Sequence, residues 1–434
     1  MEFIWKIIYN LILVQLGRLF YYEQIIFNDK VRESYRIRKN AFKVLAGIAE
    51  NFHTGDKIIL IHSSSVGEFE QAKPVIELIK KNHSNVKIIC SFFSPSGYNA
   101  AKKYKESDGI VLMPIDTYPR MRRFMKILKP DMLFFMRYDL WPNMIWRAKK
   151  INAKILILNG TVRETSLRGK NNFLLNSFFK SFYKYVNKIF TISEADKKRY
   201  SLITSEDIIE VSGDTRYDIV YKKAISAEFS HRIFEIKKTN SSLKIFTAGS
   251  TYNDEEKIIL PAISKVKEKI KNFTAIIIPH ELKPEYIENL EKLCAANNLN
   301  YCRESKINSS AEYASRDLII FDKMGLLYQL YKLADIAYVG GGFHGSIHNV
   351  MEPAVYGIPV LHGPTYKNSY EAINLLQIKG SAVFNNSDEL SEILLDYYSN
   401  PDSEYLGYGA AAKSLVLQNL GAGERIYSSL KKLL

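Results

Sequence analysis

The sequence contains little cysteine, with three residues of this type in 434. Cys90, Cys294 and Cys302 cannot all pair with one another, and their spacing matches no metal-binding motif. A disulfide-stabilised scaffold is therefore not expected. A reduced, cytoplasmic setting follows as the expected context.

Several functional motifs are also missing. No P-loop lysine follows the glycine-rich run near residue 340 and no HExxH pair occurs, so neither Walker nor zinc-protease chemistry is indicated. No RNA-binding signature is present, and we expect no nucleic-acid partner. Short repeats and low-complexity tracts are absent, and no small-residue cleavage site follows the apolar amino terminus, which argues against a secretory signal.

The overall composition is that of a globular protein: 47% of the residues are apolar and 24% are charged. A chain of 434 residues is long enough for two domains, each with its own core. The formal charge of +14 indicates an anionic partner such as a nucleic acid, a membrane surface or a phosphorylated substrate.

The amino terminus narrows this choice. Residues 3–21 are apolar and aromatic, but four polar residues interrupt them, which is poor for a free-standing membrane span: Lys6, Asn10, Gln15 and Arg18. Residues 30–43 carry six basic side chains against one acid. This pattern favours a helix that lies in, or is anchored to, an anionic cytoplasmic leaflet. The alternative is a buried amino-terminal helix with a solvated basic face.

Two series of short apolar runs alternate with helical stretches. The first starts at residue 57 (KIILIHSSS), and the second starts at residue 243 (LKIFTAGST) after a polar segment. Uninterrupted apolar runs are typical of parallel strands covered on both faces. We therefore predict an α/β protein with two doubly wound Rossmann-like domains. The expected boundaries are 1–45 for a membrane-associating segment, 46–218 for the first domain and 219–434 for the second.

In the second series each strand ends in a polar or glycine-rich turn. The run Gly340–Gly342 allows close backbone approach, and a helix after it would offer free N–H groups to a phosphate. His344 and His348 are spaced i,i+4 but lack a third ligand, so a metal is disfavoured. Asn349 and Glu352 would share a helix face, either to bind phosphate and ribose or simply to cap the helix. Because five polar strand ends converge, nucleotide binding is the preferred interpretation.

In the first series the informative stretch is HSSSVGEFEQAKP. Glu68 follows a glycine at a helix start, where the helix dipole is expected to lower the pKa of its carboxyl group. Glu68 is either an ordinary first-turn residue, like Glu70, or a general base.

Six segments resemble the motifs of the 3-deoxy-D-manno-octulosonic acid (Kdo) transferases, in the order in which they occur there. They are HSSSVGEFEQAKPVIE, VSGDTRYD, AGSTYNDEE, PHE, MGLLYQLYKLADIAYVGGGF and SIHNVMEPAVYGIPVLHGP. The resemblance spans roughly residues 3–375. It implies a GT-B architecture, an amino-terminal acceptor domain and a carboxyl-terminal CMP-Kdo domain that face a cleft.

The resemblance further implies inverting, metal-independent transfer of Kdo from CMP-Kdo to an anionic lipid A precursor (lipid IVA) in lipopolysaccharide synthesis. No cofactor is expected. The enzyme would work at the cytoplasmic side of the inner membrane, held there peripherally or by a single amino-terminal anchor.

By the same resemblance, Glu68 matches the proton acceptor, and Arg216 matches a basic residue that offsets transition-state charge. The positions implied to bind CMP-Kdo are Ser250, Thr251, Pro279, His280, Met324, Gly325, Leu326, Gly341, Gly342, Asn349, Val350, Met351 and Glu352.

The sequence departs from the family pattern at three places. The stretch often written ETELWPN reads RYDLWPN here, so either Arg137 or Asp139 takes a supporting catalytic role. Tyr252 stands where the family commonly has the histidine of an STH motif. Arg163 lies in the segment NGTVRETS, which differs from the NARLSERS-like segment of the family. Two alternatives to the Kdo transferase interpretation remain. One is another GT-B enzyme that uses a UDP-sugar, either a transferase or an epimerase, and the other is a peripheral membrane protein without activity.

Overall fold

The computed structural model describes residues 1–162 and 173–434, so Arg163 lies outside the described residues. The chain divides into two compact units, Met1–Ile219 with Leu420–Leu434, and Val220–Asn419. Each unit alternates parallel strands with helices, as the sequence predicts for the α/β class.

The described part of the first unit contains a seven-stranded parallel sheet in the order β3-β2-β1-β4-β5-β6-β7. Its strands are β1 (Lys57–Ser63), β2 (Val86–Phe92), β3 (Gly109–Leu112), β4 (Met132–Met136), β5 (Lys154–Gly160), β6 (Lys188–Thr191) and β7 (Ile209–Val211). Neighbouring strand residues contribute to different cores, Leu60 to one face and Ile61 to the other. Burial on both faces explains why these strands are continuously apolar.

The helices of the first unit pack on both faces of this sheet. They are α1 (Glu2–Ile8), α2 (Val14–Phe27), α3 (Asp29–Lys39), α4 (Ala41–Ala49), α5 (Val66–Asn82), α6 (Pro95–Ala101), α7 (Tyr118–Leu128), α8 (Pro142–Lys150), α9 (Phe173–Tyr183), α10 (Glu194–Tyr200) and α11 (Thr215–Ser226), the last of which continues into the second unit. A 3₁₀ turn covers Glu206–Ile208.

The second unit repeats this plan over its described residues, with the strand order β10-β11-β9-β8-β12-β13-β14. The strands are β8 (Lys244–Thr251), β9 (Phe273–Pro279), β10 (Tyr301–Arg303), β11 (Leu318–Ile320), β12 (Ile336–Val339), β13 (Val360–His362) and β14 (Ser381–Val383). The helices are α12 (Ile236–Thr239), α13 (Asn253–Lys269), α14 (Pro284–Ala296), α15 (Ser310–Ala314), α16 (Leu327–Leu330), α17 (Met351–Ala354), α18 (Tyr370–Gln377), α19 (Ser387–Ser399) and α20 (Tyr408–Gln418). Short 3₁₀ turns lie at Arg232–Glu235, Glu304–Lys306, Tyr331–Leu333 and Glu404–Gly407.

The last helix, α21 (Ala422–Leu430), packs on the first unit, although the second domain was expected to run to residue 434. Ile426 and Leu430 enter the core beside α5. Asp218 fixes the start of the helix by accepting hydrogen bonds from the amides of Gly421 at 2.6 Å and Gly423 at 2.8 Å. The apolar face of this helix is therefore buried by residues more than 200 positions earlier in the chain.

The amino-terminal segment is helical from Glu2 to Phe27, with a π-helical stretch at Tyr9–Leu13. Among the described residues this helix alone has the length and composition to cross a membrane, and 6% of its apolar window is buried. Its polar side chains face the first unit. Tyr9 donates to Asp116 at 2.8 Å, and the amides of Asn10 and Asn143 exchange hydrogen bonds at 3.0 Å.

Candidate functional site

Glu68 lies in the first turn of α5, directly after β1. Ser65 caps the helix by accepting a hydrogen bond from the Glu68 amide, and Glu68 Oε2 accepts one from the Ser64 amide at 2.6 Å. The residue is 8% exposed. Burial raises the pKa of this carboxyl group. Hydrogen bonds from the amides of Ser64 and Ser65 and the positive charge of Arg137 lower the pKa, but burial has the larger effect. The expected lowering by the helix dipole is wrong because desolvation outweighs it.

Two residues of the loop after β4, Arg137 and Asp139, interact electrostatically with Glu68. Arg137 has a left-handed backbone with φ of 61°, and hydrogen bonds hold it to the Leu158 carbonyl and the Tyr200 hydroxyl. Burial, followed by the charge of Glu68, raises the pKa of Asp139 to about 6. A non-glycine residue at positive φ is uncommon, and such residues concentrate at functional sites.

Arg216 lies in the first turn of α11 and is oriented by Asp214. Its Nε and Nη2 atoms donate to Asp214 Oδ2 at 2.9 and 2.6 Å, and its amide donates to Oδ1. Burial alone would raise the pKa of Asp214, but the charge and hydrogen bonds of Arg216 hold it below the usual value. The guanidinium group is therefore held in place by a buried anion.

Asn159 connects this pair to the helix of Glu68, and the sequence analysis did not identify it. Its buried side-chain amide donates to Thr215 Oγ1 at 2.6 Å and to Gln71 Oε1 at 3.2 Å. Gln71 lies one turn after Glu68 on α5. Asn159 also has a positive φ of 51° at the end of β5. An asparagine that ends an apolar strand is the sequence signal that could have indicated it.

In the second unit, Ser250 and Thr251 end β8. Ser250 has a left-handed backbone with φ of 56°. The Thr251 hydroxyl is buried and donates to Glu256 Oε1 at 2.8 Å. Burial raises the pKa of Glu256 to about 7. The negative charges of Glu255 and Asp254 also raise it, whereas the hydrogen bond from Thr251 lowers it.

Glu255 holds the glycine-rich loop that follows β12. The side chain is fully buried, and its Oε1 atom accepts hydrogen bonds from the amides of Gly341 at 2.7 Å and Phe343 at 3.2 Å. Its Oε2 atom accepts from the Tyr252 amide at 3.1 Å. The amide of Gly341, a position implied to bind the donor, is thus already bound to a carboxylate. No motif in the sequence indicated this role for Glu255.

The glycines of this loop are required by close backbone approach. A Cβ atom on Gly340 would lie well inside contact distance of the Ser250 carbonyl, and one on Gly342 would lie 2.5 Å from the Gly363 amide nitrogen. The predicted helix does not follow the run directly. Turns occupy residues 341–350, and α17 begins only at Met351.

An aromatic cluster lies beside this loop. The Tyr252 ring stacks on His344 with centroids 4.0 Å apart, and the rings of His280 and His348 stack at 4.7 Å. His344 Nδ1 lies 3.2 Å from Asp254 Oδ2, and His348 Nε2 lies 3.2 Å from the Tyr252 hydroxyl. Burial and the neighbouring histidines lower the pKa of His348 to about 4. Within residues 1–162 and 173–434, no three His, Cys, Asp or Glu side chains could hold a metal ion.

Asn349 caps α17 from just before its start. Its Oδ1 atom accepts from the Met351 amide at 3.2 Å, and its side-chain amide donates to Glu352 Oε1 at 3.3 Å. Burial raises the pKa of Glu352, while the charge of Lys223 and the Asn349 hydrogen bond oppose the rise. Asn349 therefore makes the capping contact that was the alternative to ligand binding. Its side-chain amide also holds the Glu352 carboxyl group in place.

The remaining positions implied to bind the donor differ in exposure. Val350 and Met351 are each 1% exposed, so only their backbone could reach a ligand. Met324 is 80% exposed, and Gly325 beside it has φ of 93° before the short α16. The His280 amide, directly after Pro279 at the end of β9, donates to the Thr251 carbonyl at 2.9 Å.

Comparison with known proteins places this geometry in context. Residues 36–219 match the family model described as 3-deoxy-D-manno-octulosonic-acid transferase (kdotransferase). A 3-deoxy-D-manno-octulosonic acid transferase of Haemophilus influenzae is 25% identical over 381 residues, which cover 86% of each chain. The chain is a relative of the Kdo transferases. The resemblance predicted from the motifs is confirmed.

A longer relative of the Kdo transferase domain is also known. A bifunctional glycosyltransferase/methyltransferase of Fusobacterium nucleatum is 28% identical over 389 residues, which are 87% of this chain. The match spans 58% of that protein's length.

A solved structure supports the GT-B fold. The UDP-GlcNAc 2-epimerase of Neisseria meningitidis, bound to UDP-GlcNAc, is 13% identical with a TM-score of 0.60, covering 87% of this chain and all of that one. At this identity the likeness concerns the fold alone.

The residues that replace the ETELWPN motif of the Kdo transferases lie close to Glu68 in electrostatic terms. Arg137 and Asp139 lie on one loop; Arg137 acts electrostatically on Glu68, and Glu68 acts on Asp139. The cation lowers the pKa of Glu68, whereas the carboxyl of Asp139 itself titrates near pH 6.

Proposed function

We propose that this protein transfers Kdo from CMP-Kdo to a hydroxyl group of a phosphorylated lipid A precursor. The observation that carries the proposal is the buried Glu68 carboxyl, whose raised pKa makes it a better base, in a chain related to Kdo transferases. Glu68 and Arg216 would act from the first unit, and the CMP-binding residues belong to the second.

In the proposed step an acceptor hydroxyl oxygen attacks the anomeric carbon of Kdo while the bond from that carbon to the CMP phosphate oxygen breaks. Glu68 takes the hydroxyl proton, and CMP leaves with the electron pair. Attack opposite the leaving group inverts the anomeric carbon. Arg216, held by Asp214, offsets the negative charge, so no metal is required.

Donor binding in the second unit is proposed to involve the ends of β8 and β9 and the Asn349–Glu352 pair. Because Glu255 occupies two amides of the glycine loop and the buried Thr251 hydroxyl donates to Glu256, we assign the phosphate to Ser250 and the His280 side chain rather than to those groups. Glu352 would accept hydrogen bonds from the ribose hydroxyls.

The direct test incubates the full chain with CMP-Kdo and a tetraacylated lipid A precursor and measures the product by mass spectrometry. We expect added Kdo mass with wild type. Glu68→Gln should lower kcat by about 10²–10⁴-fold and leave CMP affinity nearly unchanged. Unchanged turnover in that variant would remove Glu68 from the mechanism.

A binding comparison separates the Kdo transferase from a UDP-sugar enzyme. CMP should raise the thermal unfolding midpoint of the wild-type protein, and Glu352→Gln should reduce the rise. Stabilisation by UDP and none by CMP would contradict the assigned donor.

A further inference from the structure

A groove lies between the amino-terminal helix and the strand ends of the first unit. Its volume is about 190 Å³, more than the roughly 150 Å³ of an apolar cavity that admits benzene. The side chains that give it its apolar character are Leu13, Val14, Tyr21, Phe93, Ile115 and Trp141. The proposed reaction uses none of them.

The groove is open to solvent beside the helix. Leu13 lines it and is 45% exposed, while Leu16 and Leu19 on the same helix are 61% and 71% exposed. Gly17 also lines the groove, and a Cβ atom added there would meet nothing within 4 Å. An alkyl chain could therefore enter the groove past the exposed residues Leu13 and Gly17.

Arg18 places a positive side chain in the groove, and Arg38 contacts two rings that line it, Tyr21 and Phe93. Arg18 lines it, and its buried Nε atom has no hydrogen-bond partner among the described residues. The Arg38 guanidinium is buried 4.8 Å from the Phe93 ring and donates to the carbonyls of Phe93 and Met113. Arg38 Nη1 also donates to the hydroxyl of Tyr21, a lining residue, at 3.1 Å.

Asp116 also borders the groove, but its oxygens are already in use. They accept hydrogen bonds from the Tyr9 hydroxyl and from the amides of Asn143 and Met144. This carboxylate therefore needs no further donor from a ligand, whereas the unpartnered Arg18 Nε atom can still donate to an anionic group.

The groove also adjoins the elements that carry the proposed base. Trp141 stacks on Phe93 with centroids 4.9 Å apart, and its Nε1 atom lies 2.9 Å from His62 Nε2 on β1. Trp141 belongs to the same loop as Arg137, and β1 leads directly into the turn before Glu68.

We propose that this groove binds the end of one alkyl chain of the anionic acceptor lipid and so positions the acceptor's polar part near Glu68. The assignment rests on the proposed Kdo transfer for the identity of the acceptor. Independently of that function, the apolar lining and the unpartnered Arg18 Nε atom favour an alkyl chain that carries an anionic group.

Binding is tested with dodecyl phosphate, below its micelle concentration, on the full chain by isothermal titration calorimetry. Wild type and Gly17→Ala should bind it at one site. Gly17→Leu, which places a side chain in the groove, should weaken binding roughly tenfold or more, the equivalent of about two excluded methylene groups.

Gly47→Leu is the matched control, because Gly47 is also an exposed helical glycine with nothing within 4 Å of an added Cβ. It should bind dodecyl phosphate as wild type does. Far-ultraviolet circular dichroism should show that both leucine variants are folded. Equal affinity of wild type and a folded Gly17→Leu would overturn the groove assignment.

A kinetic measurement identifies the source of the chain. Gly17→Leu should raise KM at least tenfold for the tetraacylated acceptor while leaving kcat, and the low activity on a deacylated disaccharide, unchanged. An unchanged KM together with weaker dodecyl phosphate binding would assign the groove to a bilayer lipid and contradict the acceptor. No Kdo transfer by wild type would refute the proposed function, whereas the calorimetry would still test the groove.

Discussion

At the scale of single residues, burial determines the state of the acidic groups in both units. Glu68, Glu255, Glu256 and Glu352 all lie at helix starts, where a dipole would lower their pKa values, yet burial raises each of them. A helix start can be predicted from sequence, but burial depends on neighbours that are distant in the chain.

Glu256 gives a testable consequence for stability. Its pKa is raised to about 7 in the folded protein, so the folded state binds a proton more tightly than the unfolded state does. The stability from this proton is fully present below the unfolded pKa, near 4.5, and is lost as pH rises to about 7. Between these limits the loss is on the order of 3 kcal/mol.

Glu256→Gln should therefore gain stability relative to wild type as pH rises from 5 to 8, measured by urea unfolding of the full chain. The exposed Glu285→Gln in the same unit is the control and should follow wild type. A constant difference between Glu256→Gln and wild type at the two pH values would contradict this assignment.

At the scale of elements, the glycine-rich loop after β12 is held by contacts from a different strand and helix. Glu255 on α13 binds its amides, and Gly340 approaches the carbonyl that ends β8. The sequence correctly indicated a loop with close backbone approach. The carboxylate that occupies its amides was not predicted, because Glu255 is 86 residues earlier.

Gly340→Ala should destabilise the second unit by about 1–3 kcal/mol, since the added Cβ atom would collide with the backbone of Ser250. The urea midpoint measures the change. Gly407→Ala is the control, because Gly407 has an ordinary φ of −80° and open space around it. It should change stability by less than about 0.5 kcal/mol, and an equal effect of both substitutions would refute the collision.

At the scale of the whole molecule, the amino-terminal helix has two different surfaces. Its polar residues bind the first unit, as Tyr9 and Asn10 show, while its large apolar side chains remain exposed. We propose that this helix lies in the membrane interface instead of crossing the bilayer, with the basic segment 30–43 toward anionic headgroups.

Leu16→Glu combined with Leu19→Glu should weaken sedimentation with vesicles of anionic phospholipid roughly a hundredfold, because two exposed leucines no longer enter the bilayer. Leu202→Glu makes the same chemical change at a side chain that is 53% exposed elsewhere in the first unit, and it should sediment as wild type does. Undiminished sedimentation of the double variant would contradict an interfacial role for this helix.

The sequence by itself determined the α/β class, the long buried strands, the family resemblance and the apolar amino-terminal helix. Apolar runs and short motifs are local, so they can be read without the fold.

Only the tertiary structure decided what surrounds these elements. It placed α21 on the first unit, buried Glu68, linked Asn159 to Gln71 and Thr215, and bound Glu255 to the glycine loop. Each of these facts depends on hydrogen bonds or burial between residues that are far apart in the chain. Desolvation and close approach are set by packing in three dimensions, and no local pattern encodes them.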